Sequence, residues 1–210
     1  MVLPGTLLKS IATPFFPLTL SFSPSPVISH SQPRGISNVA GVVGVRPVMK
    51  VWSYVKADVL FALPLPPFSA TEIEKGLWLG SIRDSFHKED LLKHQITHIL
   101  TMIIGVNERF PQQFSYKKIP VMDVTGENLS PFLSPPSFEF IDEGIEKGGV
   151  LVHCMQGKSR SASMVIAYLM QKQNASLADT LKLVQQKRKI VQPNPSFMEQ
   201  LQLFEKQHER

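Results

Sequence analysis

The chain has 210 residues, with 22 Lys and Arg against 17 Asp and Glu, 17 prolines and a single cysteine. That length admits one well-cored domain with an appendage, and one cysteine excludes an internal disulfide framework or a Cys-rich zinc site. The net charge of +5 does not describe a nucleic-acid surface: residues 1–57 hold five basic residues (Lys9, Arg34, Arg46, Lys50, Lys56) and no acidic one, and the rest carry 17 of each sign.

Ten of the 17 prolines fall before residue 68, and Ser and Thr recur between Thr6 and Ser37. Residues 1–47 are therefore expected to form neither a regular helix nor a central strand. An acid-free, Ser-rich leader has the composition of an organelle transit peptide, which implies a plastid or mitochondrion; a tail without an address implies cytoplasm or nucleus. Residues 10–33 lack Lys, Arg, Asp and Glu, but Pro14, Pro17, Pro24, Pro26 and Pro33 interrupt them, so no transmembrane helix is read there. Val48, Val51, Trp52, Val55, Val59, Leu60 and Leu63 then recur at three- and four-residue spacing. This predicts an amphipathic helix, followed by a linker containing Pro64, Pro66 and Pro67, so that residues 48–71 join the leader to a body at 72–210.

Within the body, residues 76–79 and 97–104 read as short buried strands around a helix at 88–94, and 116–122 reads as a further strand. Phe138, Ile141, Asp142 and Ile145 predict a helix from near Pro135 to the Gly148-Gly149 stop. Val150-Leu151-Val152 is a wholly apolar strand of the kind covered on both faces. Helices are predicted over 159–172, 177–189 and 197–208, with capping boxes at Ser176 and Asp179 and at Ser196 and Glu199. Strands joined through helices give an α/β domain with a central, mostly parallel sheet flanked by helices.

The chemistry concentrates in residues 150–163, VLVHCMQGKSRSAS. A cysteine after a buried strand and before a helix stands where α/β sheets bind ligands. Residues Met155, Gln156, Gly157, Lys158, Ser159 and Arg160 can turn their N–H groups inward as an anion cradle, with Gly157 supplying the unusual backbone conformation and the next helix N-terminus adding positive potential. The same field stabilises a Cys154 thiolate. Arg160 offers a planar fork for two phosphate oxygens. Lys158 either adds positive potential or points into solvent. His153 fixes the loop by hydrogen bonds, and the Ser161 hydroxyl stabilises the sulfur as a leaving group.

The set His153-Cys154-x-x-Gly157-x-x-Arg160-Ser161 resembles the signature of cysteine-dependent protein tyrosine phosphatases, and Ser159-Arg160-Ser161 resembles their dual-specificity branch, the small atypical and plant members in particular. Gly76-Leu77-Trp78-Leu79-Gly80-Ser81, Ile96-Thr97-His98-Ile99-Leu100, Ile119-Pro120-Val121-Met122-Asp123, Asn128-Leu129, Phe140-Ile141, Pro193-Asn194 and Gln200-Leu201 look like successive landmarks of that domain over residues 72–208. Gln156 stands where the family often has Ala, and Lys189 where it often has Pro.

The resemblance implies the dual-specificity phosphatase fold and a general acid on a mobile loop some thirty residues before the nucleophile. Asp123 matches that position, ahead of Glu127 and of Asp142, which falls in a predicted helix. It also implies hydrolysis of phosphotyrosine and phosphoserine or phosphothreonine in proteins through a phosphocysteine, without metal or cofactor. The catalytic set is then Cys154, Arg160, Asp123 and Ser161. Phosphorylated proteins and their kinases are the implied partners, and a monomer the implied state. Phosphoglucan or phosphoinositide hydrolysis, and phosphoprotein binding with little turnover, are the rival readings.

Overall fold

β-Branched Val150 and Val152 flank Leu151 in the central strand of a five-stranded sheet, in a computed structural model that describes residues 65–208. The leader and the helix expected over 48–63 lie outside those residues.

The strands are β1 (Thr71–Glu74), β2 (Leu77–Ser81), β3 (His98–Thr101), β4 (Ser115–Lys118) and β5 (Val150–Cys154), in the order β1-β2-β5-β3-β4. β5 is parallel to both neighbours, β4 is parallel to β3, and β1 alone is antiparallel. The helices are α1 (Lys88–Lys93), α2 (Pro135–Glu146), α3 (Arg160–Gln173), α4 (Leu177–Lys187) and α5 (Pro195–His208), with short 3-10 turns at Asp84–Phe86 and Ser130–Phe132. Among the described residues no helix is long and apolar enough to cross a membrane.

The period-two alternation of β5 divides the core. Val150, Val152 and Cys154 join the larger cluster with α2, α3, α4 and α5, while Leu151 joins Leu91, Ile96, Ile99 and Phe114 on the opposite face. All five residues of β5 are buried, as expected of a parallel strand covered twice. Helix α3 is nearly as enclosed: residues Arg160 to Met170 are all buried, so β5 and the helix that follows it are both set deep in the core.

Several sequence expectations are adjusted. β1 was not foreseen. The third strand is confined to His98–Thr101, and β4 stops at Lys118 because Pro120 brings no donor to a ladder. Ser176 caps α4 as expected, its Oγ accepting from Asp179 N at 3.1 Å. Ser196 does not cap α5: Asn194 does, its Oδ1 accepting from Phe197 N at 2.9 Å with Pro195 at the first helical position. Gly148, where α2 ends, has φ +137, and a Cβ there would lie 2.4 Å from Gln95 O, so only glycine serves.

Candidate active site

At the carboxyl end of β5 the chain enters the loop 155–159 and leaves it through α3. Every carbonyl of that loop has a partner outside it. Met155 O accepts from Ile82 N at 3.4 Å, and Lys158 O from Gln192 N at 2.8 Å. Gln156 O and Gly157 O accept from Arg188 Nη2 and Nε, each at 3.1 Å. Ser159 O accepts from the amide and hydroxyl of Ser163 at 2.8 and 2.9 Å. Carbonyls drawn outward leave the amides facing inward, which is the geometry of an anion nest. Gly157 has φ +68, and a Cβ there would stand 2.5 Å from Gly80 O, so the turn closes against β2 only as glycine.

Arg188 was not singled out as a site residue, yet it braces this wall. Its Nη1 also donates to Ser69 O at 2.8 Å and Thr71 Oγ1 at 3.2 Å, fastening the start of β1 to the loop. Asp84, 1 % exposed, completes the brace. Its Oδ1 accepts from Ser69 N and Oγ at 2.7 and 3.1 Å, and its Oδ2 from Ser81 N and Oγ at 2.7 Å each. Burial pushes the Asp84 carboxyl up, but these four donors outweigh it and hold the group below its ordinary range.

Cys154 is 1 % exposed, and the Ser161 hydroxyl donates to its Sγ at 3.1 Å. Burial raises the thiol, yet the Arg160 guanidinium, the Ser161 hydroxyl and the amides of Ser161 and Gln156 outweigh that cost, leaving the thiol below its ordinary range. A sulfur of this kind is favoured as the anion, which fixed dipoles solvate in place of water.

Arg160 opens α3 at 9 % exposure. Its Nη1 donates to Val121 O at 3.4 Å, and its Nε lies 3.6 Å from Asp123 Oδ2, beyond hydrogen-bond reach, so this buried N–H has no partner among the described residues. A buried guanidinium N–H without an acceptor is costly, and an oxyanion in the nest is the acceptor its position fits. Asp123 Oδ1 in turn accepts from Ser159 Oγ at 2.7 Å and Asn194 Nδ2 at 2.9 Å, which brings the loop after β4 over the nest.

His153 sits behind the loop. Its Nδ1 donates to Cys154 O at 3.4 Å, because a carbonyl can only accept, and its Nε2 therefore accepts from Thr101 Oγ1 at 2.8 Å. Burial pushes its pKa down to about 4, so it supports the loop as a neutral imidazole. Lys158 does not enter the nest: with Arg83, Arg188 and Lys189 it lines a groove of about 870 Å³ on the outer side of the loop. Asp142 is engaged on α2, accepting from Tyr168 Oη at 2.7 Å and Lys172 Nζ at 2.8 Å. Glu127 is held through its backbone carbonyl, which accepts from Gln200 Nε2 at 2.8 Å.

The family model of the dual specificity phosphatase catalytic domain matches residues 77–207. The chain belongs to the dual specificity phosphatases. It is 40 % identical over 137 residues to dual specificity protein phosphatase 1B of Arabidopsis thaliana, covering 65 % of this chain and 81 % of that one. It is 43 % identical over 135 residues to dual specificity protein phosphatase 1 of the same plant, covering 64 % and 68 %. Among solved structures it superposes on a human tyrosine phosphatase-like serine/threonine/tyrosine-interacting protein with a TM-score of 0.62 and 36 % identity, over 66 % of this chain and 97 % of that one. A mouse putative dual specificity phosphatase in complex with zinc tungstate gives 0.64 and 27 %, over 69 % and 91 %. This phosphatase is thus a cysteine-dependent protein phosphatase acting on phosphotyrosine and on phosphoserine or phosphothreonine, with the phosphocysteine mechanism general to its family.

Proposed function

We propose that Cys154, Arg160, Asp123 and Ser161 divide that reaction among them, on a nest formed by the amides of residues 155–160. The observation that supports this most is the sulfur itself: a buried thiol whose ionised form is favoured by a cation, a hydroxyl and two amides, at the mouth of a loop with all its carbonyls turned away. In the first step Cys154 Sγ attacks phosphorus, Arg160 and the inward amides hold the equatorial oxygens, and Asp123 protonates the departing oxygen as its bond to phosphorus breaks. In the second, the Asp123 carboxylate takes a proton from the water that attacks the phosphocysteine, and Ser161 Oγ donates to the sulfur as it leaves. Donors fixed before charge develops lower both barriers without reorganisation.

Phosphorylated proteins are the substrates, and the groove lined by Arg83, Lys158 and Lys189 favours acidic residues beside the phosphorylated one. Cys154→Ser tests the assignment. The variant is expected to lose turnover of p-nitrophenyl phosphate and phosphopeptides while still binding tungstate, measured by calorimetry; appreciable turnover by the serine variant would mean that another group attacks phosphorus.

A further inference from the structure

The loop that carries Asp123 has little hold on the body. Residues 122–126 are exposed, and among the described residues the side-chain hydrogen bonds that reach this segment from the body both end on Asp123. We propose that Ser159 and Asn194 are positioning residues for the general acid, clamping one oxygen of Asp123 and leaving the other to carry the proton. This rests on the reading of Asp123 as the acid and adds to it the means by which that acid is aimed.

Ser159 occupies the N-cap position of α3 but makes no side-chain cap bond to its own helix. A serine there ordinarily accepts from the second or third amide of the helix. Here its hydroxyl donates across 36 residues to Asp123 Oδ1 at 2.7 Å. A local rule broken in this way marks a position where the side chain serves something other than its own helix.

Asn194 completes a triangle. Its N donates to Ser159 Oγ at 3.2 Å, and its Nδ2 donates to Asp123 Oδ1 at 2.9 Å. Its Oδ1 is committed to Phe197 N as the cap of α5, which fixes the amide's orientation and points the NH₂ at Asp123. The clamp is therefore anchored to two helix starts, α3 through Ser159 and α5 through Asn194. Asp123 Oδ1, accepting from both, cannot also bear the acidic proton. That proton belongs on Oδ2, which faces Arg160 at 3.6 Å and so lies on the side where the phosphate is gripped.

The balance across the reaction follows. The Oδ2 proton passes to the leaving oxygen, which keeps the electron pair of the breaking P–O bond, and Asp123 becomes a carboxylate. Hydrogen bonds to a charged acceptor are about twice as strong as neutral ones, so Ser159 and Asn194 hold Asp123 more firmly at the phosphocysteine stage. Oδ2 is then the oxygen aimed at the attacking water, from which it regains its proton.

The test uses the full chain with Ser159→Ala, Asn194→Ser and Asp123→Asn, each alone and with Asp123→Asn added to the first two. Serine at 194 retains a cap acceptor for α5 but cannot reach Asp123 as the amide does, and Ser159→Ala removes no cap bond. Turnover at saturation is measured on dinitrophenyl, nitrophenyl and phenyl phosphates. Ser159→Ala and Asn194→Ser are each expected to lose about tenfold on phenyl phosphate, the effect of about 1.4 kcal/mol at the barrier, and much less on dinitrophenyl phosphate, whose leaving group needs no proton; Asp123→Asn is expected to lose more than either on phenyl phosphate. Neither is expected to lose anything further in the Asp123→Asn background. Losses of equal size on all three esters, or losses that persist undiminished with Asp123→Asn, would show that Ser159 and Asn194 act only on the fold and would overturn the clamp. A single Asp123→Asn with equal losses on all three esters would overturn the acid assignment as well, and is told apart from failure of the clamp by that one profile.

Discussion

The buried imidazole of His153 ties the stability of this phosphatase to pH in a way that can be worked out in advance. The ring is 1 % exposed and its pKa falls from 6.5 to about 4, mainly through burial. The unfolded chain therefore binds a proton on this residue that the folded chain refuses, and stability falls as pH drops below the unfolded value, with the loss complete only below the folded one. Between about pH 7.5 and about pH 4.5 the linkage relation gives a loss of about 2.5 kcal/mol from this single group. Other groups titrate over the same range, and His98, also lowered by burial, adds in the same direction. The informative quantity is the difference between the native chain and His153→Gln, which keeps a donor and an acceptor but cannot titrate. Urea denaturation followed by tryptophan fluorescence at several pH values supplies it. The variant is expected to be less stable at neutral pH and to lose less on acidification, the two curves converging towards acid. Parallel curves over the whole range would refute the assignment of His153 as a neutral, late-titrating support of the loop.

Gly157→Ala is expected to cost about 1–3 kcal/mol in thermal denaturation, from the positive φ and the clash with Gly80 O, and to weaken tungstate binding; an unchanged melting temperature would contradict the close approach. Ser161→Ala removes a donor from the sulfur, so the midpoint of Cys154 alkylation by iodoacetamide should move to higher pH, and an unmoved midpoint would show that the hydroxyl does not favour the thiolate. Arg188→Met should loosen the loop wall: with two bonds to loop carbonyls lost, at about 1 kcal/mol each, tungstate affinity is expected to fall about tenfold or more, and retained affinity would mean the wall stands without it.

What could be read from residues alone depended on how local the cause was. The strand, turn and helix around Cys154 follow from consecutive residues whose apolar run, glycine and hydroxyls each force a conformation, and the structure builds β5, the loop and α3 from them. Thr71–Glu74 escaped notice because β1 is a four-residue edge strand with a single fully buried side chain, Ile73, among polar neighbours. The Ser196 and Glu199 box matched a cap pattern, but Pro195 pre-sets the first turn and hands the cap to Asn194. Arg188 was illegible for a different reason: the Ser69 carbonyl it grips lies 119 residues away in the chain, and only tertiary structure creates a distance of that kind; Asp84 bonds its near neighbour Ser81, but an aspartate beside a serine reads as an ordinary turn residue until its burial is known. Asp123 was reached through family resemblance, since an aspartate after a short strand has no local signature of acid catalysis.

The connection between α4 and α5 has a consequence for how such an enzyme diversifies. Arg188 and Gln192 pull carbonyls of the nest outward, and Asn194, a few positions on, steadies the aspartate across from it. A single short connector, remote in sequence from both Cys154 and Asp123, thus touches the nest at one end and the Asp123 carboxylate at the other. Under the roles proposed for Cys154 and Asp123, drift within this connector is expected to retune oxyanion affinity and proton delivery together, without altering any residue that meets the substrate.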